Sequence, residues 1–290
     1  MESKFDKRLI MYTAIIIICI IAMGIGVYTQ FFYKDVDNDP FGVGIREPVD
    51  TTYEEKLEKE KTAKTDFDSL FINAVTYTSS NFNASVARKD ISQDLVYTSN
   101  EYFKEVPNKY RMNIHVPAIN IESVVANEIN RSIEETFVKK ATSILANADT
   151  LTNNIVYNID YSACVEGDIL SLLIRATLKE GSNPQRIMYL GYNYNLKTGT
   201  KITLQDYMNY KNITEETLQN KINKEIEEKA QNTANLSSIL GTSLYRRDLS
   251  DKMYKVKNTN NYFYGPNNYV YVIYAYGNSN YTSETDIIVF

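Results

Sequence analysis

Near its start the chain has one long apolar run. Later segments carry apolar residues at every fourth or every second position. Residues 9–33, LIMYTAIIIICIIAMGIGVYTQFFY, contain no charged side chain. At about 1.5 Å per residue, a helix of this length crosses a hydrocarbon core of about 30 Å. Within a single run, only a helix satisfies its own backbone hydrogen bonds in lipid. The run therefore predicts one transmembrane helix over residues 9–33, with the lipid bilayer as its partner.

The charges beside this run predict its orientation. Lys4, Lys7 and Arg8 precede the run, and three aspartates follow it closely. Because Lys and Arg are retained on the cytoplasmic side, residues 1–8 are expected to be a cytoplasmic tail and the C-terminal part to be extracytoplasmic. A cleaved signal peptide is the alternative. The apolar core exceeds the roughly 7–15 residues usual for such a peptide, and no A-x-A site closes it, so we expect an uncleaved anchor.

No hydrophobic period is visible in residues 34–66. This segment has two prolines and scattered charge, followed by the polar, helix-prone sequence YEEKLEKEKTAK. Such a composition is typical of a charged stalk or linker. Hydrophobic periods return at residue 67, and we divide the predicted ectodomain into a first half over 67–185 and a second half over 186–290.

Two segments carry an apolar residue at every fourth position, which predicts helices that pack one face on a sheet. The first runs from Val125 to Leu145, with Asn120 or Ser123 as its N-cap. The second runs from Thr214 to about Lys229, and Thr214 is its expected N-cap.

Other segments alternate apolar and polar residues, which predicts strands. RMNIHVP is one, and Pro117 is expected to end it. Three consecutive runs over residues 155–165, 169–179 and 187–196 have short connections and predict an antiparallel meander. A hairpin around Gly265–Asn268 and a terminal strand complete the chain. The fold class is α+β: an antiparallel β-sheet with two packed amphipathic helices, preceded by one transmembrane helix.

Composition narrows the classes of function. The 290 residues are 43% hydrophobic and 23% charged, which is typical of a folded protein. A net charge of −5 and a pI near 5.2 argue against nucleic-acid binding. Abundant Asn, Lys, Ile and Tyr with few Gly and Pro suggest a bacterial source. Cys164 is the single cysteine outside the apolar run, so no intramolecular disulfide is expected in the ectodomain.

Residues suited to catalysis are sparse. His115 is the only histidine, so neither a zinc site nor a Ser–His relay has its usual components. Cys164 has no histidine near it in sequence to activate it. The chain has no phosphate-binding glycine loop, H-E-x-x-H motif or EF-hand loop. We therefore predict a protein that is not an enzyme and has no catalytic, cofactor-binding or metal-binding residues.

Tyrosine supplies the best candidates for ligand binding. The chain has 24 tyrosines and no tryptophan, and six tyrosines cluster in the last hairpin on both strand phases: Tyr262, Tyr264, Tyr269, Tyr271, Tyr274 and Tyr276. Exposed tyrosines are favoured at recognition surfaces because each presents a large, stiff, amphipathic area. Cross-strand pairing inside a sheet is the alternative role. The lack of tryptophan counts against a conventional sugar-stacking platform.

One stretch, NYNLKTGTKITLQDYM over residues 193–208, combines turn chemistry at Lys197–Gly199 with a capping box at Thr203–Asp206. Together with VPAIN and the aromatic C-terminal segment, it resembles the extracytoplasmic domain of the lysozyme-sensing bacterial anti-sigma factor. That domain of unknown function is shared with the non-catalytic part of a peptidoglycan deacetylase. The resemblance covers about Met112–Phe290 and implies a related ectodomain.

The chain also departs from that family. Asn195 stands where the signature has aspartate, and EGSNPQRIMYLG lacks the histidine that often precedes the signature strand. The predicted cytoplasmic tail is too short to hold a sigma factor, and no deacetylase domain is present. The resemblance therefore implies the ectodomain but neither known function of its relatives.

These observations favour a membrane-anchored extracytoplasmic binding or sensing module of a bacterial cell surface, with a protein or cell-wall ligand. Two alternatives remain open. One is an envelope enzyme that acts on cell-wall polymer through carboxylates brought together by the fold. The other is a structural subunit of a membrane complex, with lateral contacts through the anchor.

Overall fold

Two β-sheets form the framework of the protein. A computed structural model of the chain describes residues 51–72, 76–78, 88–147, 154–240, 244–277 and 282–290. The predicted cytoplasmic tail, the predicted transmembrane helix over 9–33 and the first part of the predicted stalk lie outside these described residues. Within the described ranges, no helix combines the length and apolar character needed to span a bilayer.

The larger sheet has seven strands in the order β2-β3-β4-β5-β6-β7, with β1 beside β4. Their bounds are β1 Thr76–Thr78, β2 Val96–Val106, β3 Tyr110–Ile119, β4 Ile155–Glu166, β5 Ile169–Glu180, β6 Arg186–Asn195 and β7 Thr200–Lys201. The strands β4, β5 and β6 are antiparallel neighbours, which confirms the predicted meander.

The prediction of a purely antiparallel sheet is wrong, because β3 and β1 both run parallel to β4. The cause is the helical segment between β3 and β4. It crosses over the sheet and returns the chain to start β4 in the same direction as β3, as parallel pairing requires. The fold is therefore α+β with a mixed sheet.

Pro117 does not end its strand, contrary to the prediction. It lies inside β3 opposite Thr98, and the register of β2 against β3 shifts between Thr98 and Asn100. A proline lacks the N–H that a regular ladder uses, so it is tolerated where a bulge interrupts the ladder.

The first predicted helix is confirmed and packs on one face of the larger sheet, here called the inner face. It comprises α2 Val124–Ile133, a π-turn over Glu134–Val138 and α3 Lys139–Ala146. Its apolar stripe meets the alternate residues of the strands in one core, and Ala126, Ile129, Ile133 and Phe137 are at most 2% exposed.

A smaller antiparallel sheet contains the C-terminal strands β8 Tyr262–Tyr264, β9 Val270–Ala275 and β10 Thr285–Val289 in the order β10-β9-β8. The β8–β9 hairpin confirms the predicted turn. Asn267 and Asn268 occupy left-handed positions there, at φ 61° and 63°, which asparagine tolerates better than other non-glycine residues.

Two helices cover one face of the smaller sheet: α4 Leu204–Tyr210 and α5 Glu215–Leu240. The predicted capping box of α4 is present, with Thr203 and Asp206 bonded reciprocally. Thr214 caps α5 as predicted, by accepting from the N–H of Thr217 at 3.1 Å. The helix α5 ends at Leu240, later than predicted, because no Gly or Pro interrupts it before Gly241.

The other face of the smaller sheet packs on the larger sheet. Cys164, Leu173 and Tyr189 of the larger sheet share a core with Phe263, Tyr271, Ile273 and Val289 of the smaller one. The layers therefore run helix, larger sheet, smaller sheet, helix. We call the face of the larger sheet opposite α2 and α3 its outer face.

Part of the predicted stalk is a helix, α1 Thr51–Thr65, followed by a 3-10 turn over Phe67–Phe71. Phe67, Leu70 and Phe71 are buried in the core between the two sheets. The proposed division of the ectodomain into halves at residue 185 stays a prediction.

Candidate functional site

Three of the six candidate tyrosines are core residues on the helix-covered face of the smaller sheet. Tyr264, Tyr274 and Tyr276 are at most 4% exposed. The hydroxyl of Tyr276 donates to Asp286 at 2.5 Å, and that of Tyr274 lies 3.3 Å from the hydroxyl of Thr259. Burial raises the pKa of Tyr274 to about 12. These two hydroxyls are therefore already hydrogen-bonded inside the protein and are not available to a ligand.

Tyr262 belongs to the same interior group, although it is only half-buried. Its hydroxyl donates to the carbonyl of Ile202 at 2.6 Å, and its ring stands edge-on to Tyr207 with centroids 5.9 Å apart. Burial raises its pKa to about 12. Its visible role is to join β8 to the segment that leads into α4.

The remaining two candidates, Tyr269 and Tyr271, line a groove with a volume of about 1000 Å³. One wall is α1 with the turn after it, and the other is the β8–β9 turn with the start of β9. We call this the tyrosine groove, and its lining residues are Glu55, Glu58, Lys59, Thr62, Ala63, Asp66, Ser69, Leu70, Pro266, Asn267, Tyr269 and Tyr271. Its volume is at the upper end of the range for ligand sites, about 300–1,000 Å³.

Tyr271 is held rigidly at the base of the groove. Its ring centroid lies 5.4 Å from that of Phe67, 6.1 Å from that of Phe263 and 6.5 Å from that of Tyr269. Gly265 makes room for this ring, because a Cβ at that position would approach a ring carbon of Tyr271 to 2.6 Å. Tyr269 is half-buried and joins the fixed ring to the open part of the groove.

The wall formed by α1 is acidic. Glu55, Glu58 and Asp66 face one lysine, Lys59, among the lining residues, which gives the groove a formal charge of −2. Glu55, Glu58 and Lys59 lie on one side of α1, because positions three or four apart share a face, and Asp66 directly follows the helix. All four are exposed. The groove thus combines aromatic area with negative charge.

Ion pairs hold α1 against the rest of the protein. Glu60 accepts from Lys221 of α5 at 2.5 Å, and Lys64 pairs with Glu225 one turn further along both helices. Both pairs are partly buried, with side-chain exposures between 12% and 34%. Since α1 has almost no apolar stripe of its own, these pairs and the buried turn after it fix its position as a groove wall.

The residues considered for catalysis lie apart from the groove. His115 is on the outer face of the larger sheet, with Nδ1 3.6 Å from Asp160 and Nε2 3.7 Å from Glu101. Cys164 is 4% exposed, and burial raises its pKa to about 12, which disfavours the thiolate. In the described ranges, no three His, Cys, Asp or Glu side chains lie close enough together to hold a metal ion.

The sequence alone does not predict the acidic wall, because residues 51–66 lack a hydrophobic period and have the composition of a stalk. A weaker signal was present in the sequence. Phe67, Leu70 and Phe71 follow the charged run directly and would anchor it to a core. No local pattern, however, indicates that this helix lies opposite the β8–β9 turn.

Comparison with known proteins gives no assignment of function. No protein-family model and no curated protein matches the chain. A DUF3298 family protein from Pseudomonas aeruginosa is similar in structure at 11% identity and a TM-score of 0.39, over 67% of this chain and 88% of that one. A DUF3298 family member from Bacteroides fragilis gives 12% and 0.29, over 62% and 80%. Scores this low assign the chain neither to a family nor to a function.

Proposed function

We propose that this protein is a membrane-anchored, extracytoplasmic, non-enzymatic binding module of a bacterial cell surface. We further propose that its tyrosine groove binds an extended, cationic segment of another protein. The charge-free run over residues 9–33 and its flanking charges support the location. The ligand class is inferred from one observation, the groove in which two tyrosines lie opposite an acidic helix.

The polarity of the groove favours a cationic ligand. Lys or Arg side chains would meet three carboxylates on the wall formed by α1, and opposite charge across an interface steers the approach of a partner. The same cations gain from lying over the half-buried ring of Tyr269, by about 0.5–1 kcal/mol. Both contributions act together only where carboxylates and rings share one groove.

The shape of the groove favours a segment of protein over a small molecule. A volume near 1000 Å³ is at the upper limit for a small-molecule site, and the aromatic base suits apolar side chains between the charged ones of a protein segment. Tyr271 cannot rearrange without disturbing Phe67 and Phe263, so the base is ready before the ligand arrives. A preformed base lowers the ordering cost of binding.

The proposal is tested with a labelled lysine- and tyrosine-rich peptide that cannot enter cells. We expect it to bind purified full-length protein and intact cells that produce the protein. Glu55→Gln combined with Glu58→Gln should weaken binding by about tenfold, equivalent to about 1.4 kcal/mol, because two of the three groove carboxylates are lost. Fluorescence anisotropy on the purified protein and cytometry on cells provide the measurements.

A matched control removes the same charge elsewhere. Glu215→Gln with Glu216→Gln changes two exposed carboxylates in the first turn of α5 and should leave binding unchanged. Equal weakening by both pairs would show that only net charge matters and would reject the groove. Binding to the purified protein without binding to intact cells would reject the extracytoplasmic location.

A further inference from the structure

A second candidate site lies on the outer face of the larger sheet, at the end that the smaller sheet leaves uncovered. There, Arg111, Asn113, Val156, Asn158, Asp160, Arg175 and Thr177 line a depression of about 360 Å³. These residues come from the three central strands β3, β4 and β5. None of the six tyrosines predicted to bind a ligand lies in this depression.

Strand register arranges this face into a central uncharged row. Asn113 pairs with Asn158, and Asn158 pairs with Thr177. At the β2 edge the row ends with Phe103, which pairs with Asn113. The Phe103 side chain is 66% exposed. The row ends on the other side with Ile187. An exposed aromatic ring thus continues a line of two amides and one hydroxyl.

Most of the charged groups next to this row are already paired with one another. On one side, Asp160 lies 3.5 Å from Arg175 and 3.6 Å from His115. On the other side, Arg111 lies 3.9 Å from Glu105. Arg175 also bonds Asp68 and lies over the ring of Phe71. Lys179, the register partner of Val156, adds one exposed cation without an ion pair among the described residues, and the uncharged row lies between the two charged flanks.

The uncharged row has free hydrogen-bonding capacity. The side-chain amide of Asn113 makes no hydrogen bond to another group in the described part of the chain. Asn158 uses its amide N–H to donate to Thr177 at 3.2 Å, which leaves its oxygen and the hydroxyl proton of Thr177 available. Amides and hydroxyls both donate and accept, which is also the property of a sugar hydroxyl.

We propose that this depression binds an uncharged oligosaccharide, with Asn113, Asn158 and Thr177 bonded to its hydroxyls and one sugar ring lying over Phe103. The apolar face of a sugar ring matches an exposed aromatic ring, and the volume of the depression suits a short oligosaccharide. The site is separate from the tyrosine groove, and the proposal does not depend on what that groove binds.

Two other ligand classes fit this face less well. An extended peptide repeats like groups about every 6.6 Å, whereas neighbouring members of the row stand about 4.8 Å apart because adjacent strands do. The sheet face also offers no free backbone groups, which peptides use when they add to a strand edge. To reach either arginine, an anion would have to displace Asp160 from Arg175 or Glu105 from Arg111, and of the residues that the structure describes on this face Lys179 alone offers it an unpaired charge.

The test uses chitotetraose, an uncharged oligosaccharide, and saturation-transfer difference NMR on the full chain in a detergent without a sugar headgroup. Transfer to the sugar ring protons is expected. Phe103→Ala should reduce affinity by about tenfold, and Asn113→Ala should do the same, since each removes one proposed contact. Tyr269→Ala in the tyrosine groove should leave the transfer unchanged.

Tyr210→Ala is the matched control for Phe103→Ala, because Tyr210 is an aromatic residue of similar exposure, 62%, on a different part of the surface. Circular dichroism establishes that each variant is folded, and the exposed position of Phe103 makes this variant safe to interpret. Absence of transfer to chitotetraose, or wild-type transfer in both Phe103→Ala and Asn113→Ala, would overturn the proposal. Displacement of the sugar by an uncharged peptide at equal concentration would also overturn it.

Discussion

The two ends of the outer face of the larger sheet share their strands but differ in what covers them. At the carboxyl end of β4, Cys164 lies against the smaller sheet, and Leu173 beside it on β5 is fully buried. At the amino end of β4, Asn158 and Asp160 line an open depression with Thr177 of β5. The same strands therefore supply a core at one end and a candidate binding surface at the other.

The boundary between the two ends is marked by Arg175. Its guanidinium lies 4.2 Å from the centroid of Phe71, which belongs to the buried turn after α1, and it also bonds Asp68 at 2.9 Å and faces Asp160. A side chain with an apolar stem and a planar charged head can border a core and water at once. Strand sequence alone therefore does not define a binding face, because the packing of a second sheet covers part of that face.

The largest effect should come from the covered end. Leu173→Ala removes a fully buried side chain between the two sheets and should lower the free energy of unfolding by about 2–5 kcal/mol. The comparison variant Val156→Ala, at the open end of the same face, should cost less because the site is half-buried. Urea unfolding followed by circular dichroism measures both. Equal losses would show that the two ends are packed alike.

An intermediate effect should appear at alkaline pH. Burial raises the pKa of Tyr189, at the covered end, to about 12, above the usual value of about 10 in the unfolded chain. The folded state therefore keeps its proton while the unfolded state loses it. This contribution to stability is complete below pH 10 and is lost at up to about 1.4 kcal/mol per pH unit as the pH rises towards 12.

Tyr189→Phe isolates this contribution, because phenylalanine keeps the ring without the titrating hydroxyl. Other buried tyrosines titrate equally in both proteins, so the difference in unfolding free energy between wild type and variant should shift in favour of the variant above pH 10. A difference that stays constant from pH 9 to pH 12 would contradict the raised pKa.

The smallest effect should come from the open end. Asp160→Asn removes one partner of Arg175 and His115, but those pairs are 3.5–3.6 Å long and reach solvent. Ion pairs of this kind contribute about 0–1 kcal/mol, so the loss of unfolding free energy should stay below about 1 kcal/mol and should shrink in high salt. A loss of unfolding free energy above 2 kcal/mol would show that Asp160 stabilises the protein as strongly as a residue of the covered end.

Local patterns predicted much of the fold. The fourfold spacing from Val125 to Leu145 indicated α2 and α3, and Thr203 with Asp206 indicated the start of α4. Each of these elements is specified by residues near one another in sequence. By contrast, the cluster of six tyrosines mixes Tyr269 and Tyr271, which line the groove, with four that pack on the helix-covered face, because the alternation in β9 carries apolar residues on both phases. That run indicates a strand covered on both faces, and the residues that cover it, such as Leu173 and Ile222, lie far from it in sequence.

The sequence by itself determined the helices α2 to α5, most strands and the turns, because spacing, caps and charge act over a few residues, and the anchor over residues 9–33 stays a prediction. Only the tertiary structure decided that β3 and β4 are parallel, that α1 forms a wall of the tyrosine groove, and that Ser162 is buried while Asn158 is not. These outcomes depend on contacts between residues far apart in sequence. A polar residue reaches water only if no distant layer packs against it. A local pattern does not contain the residues of that layer and therefore cannot predict its position.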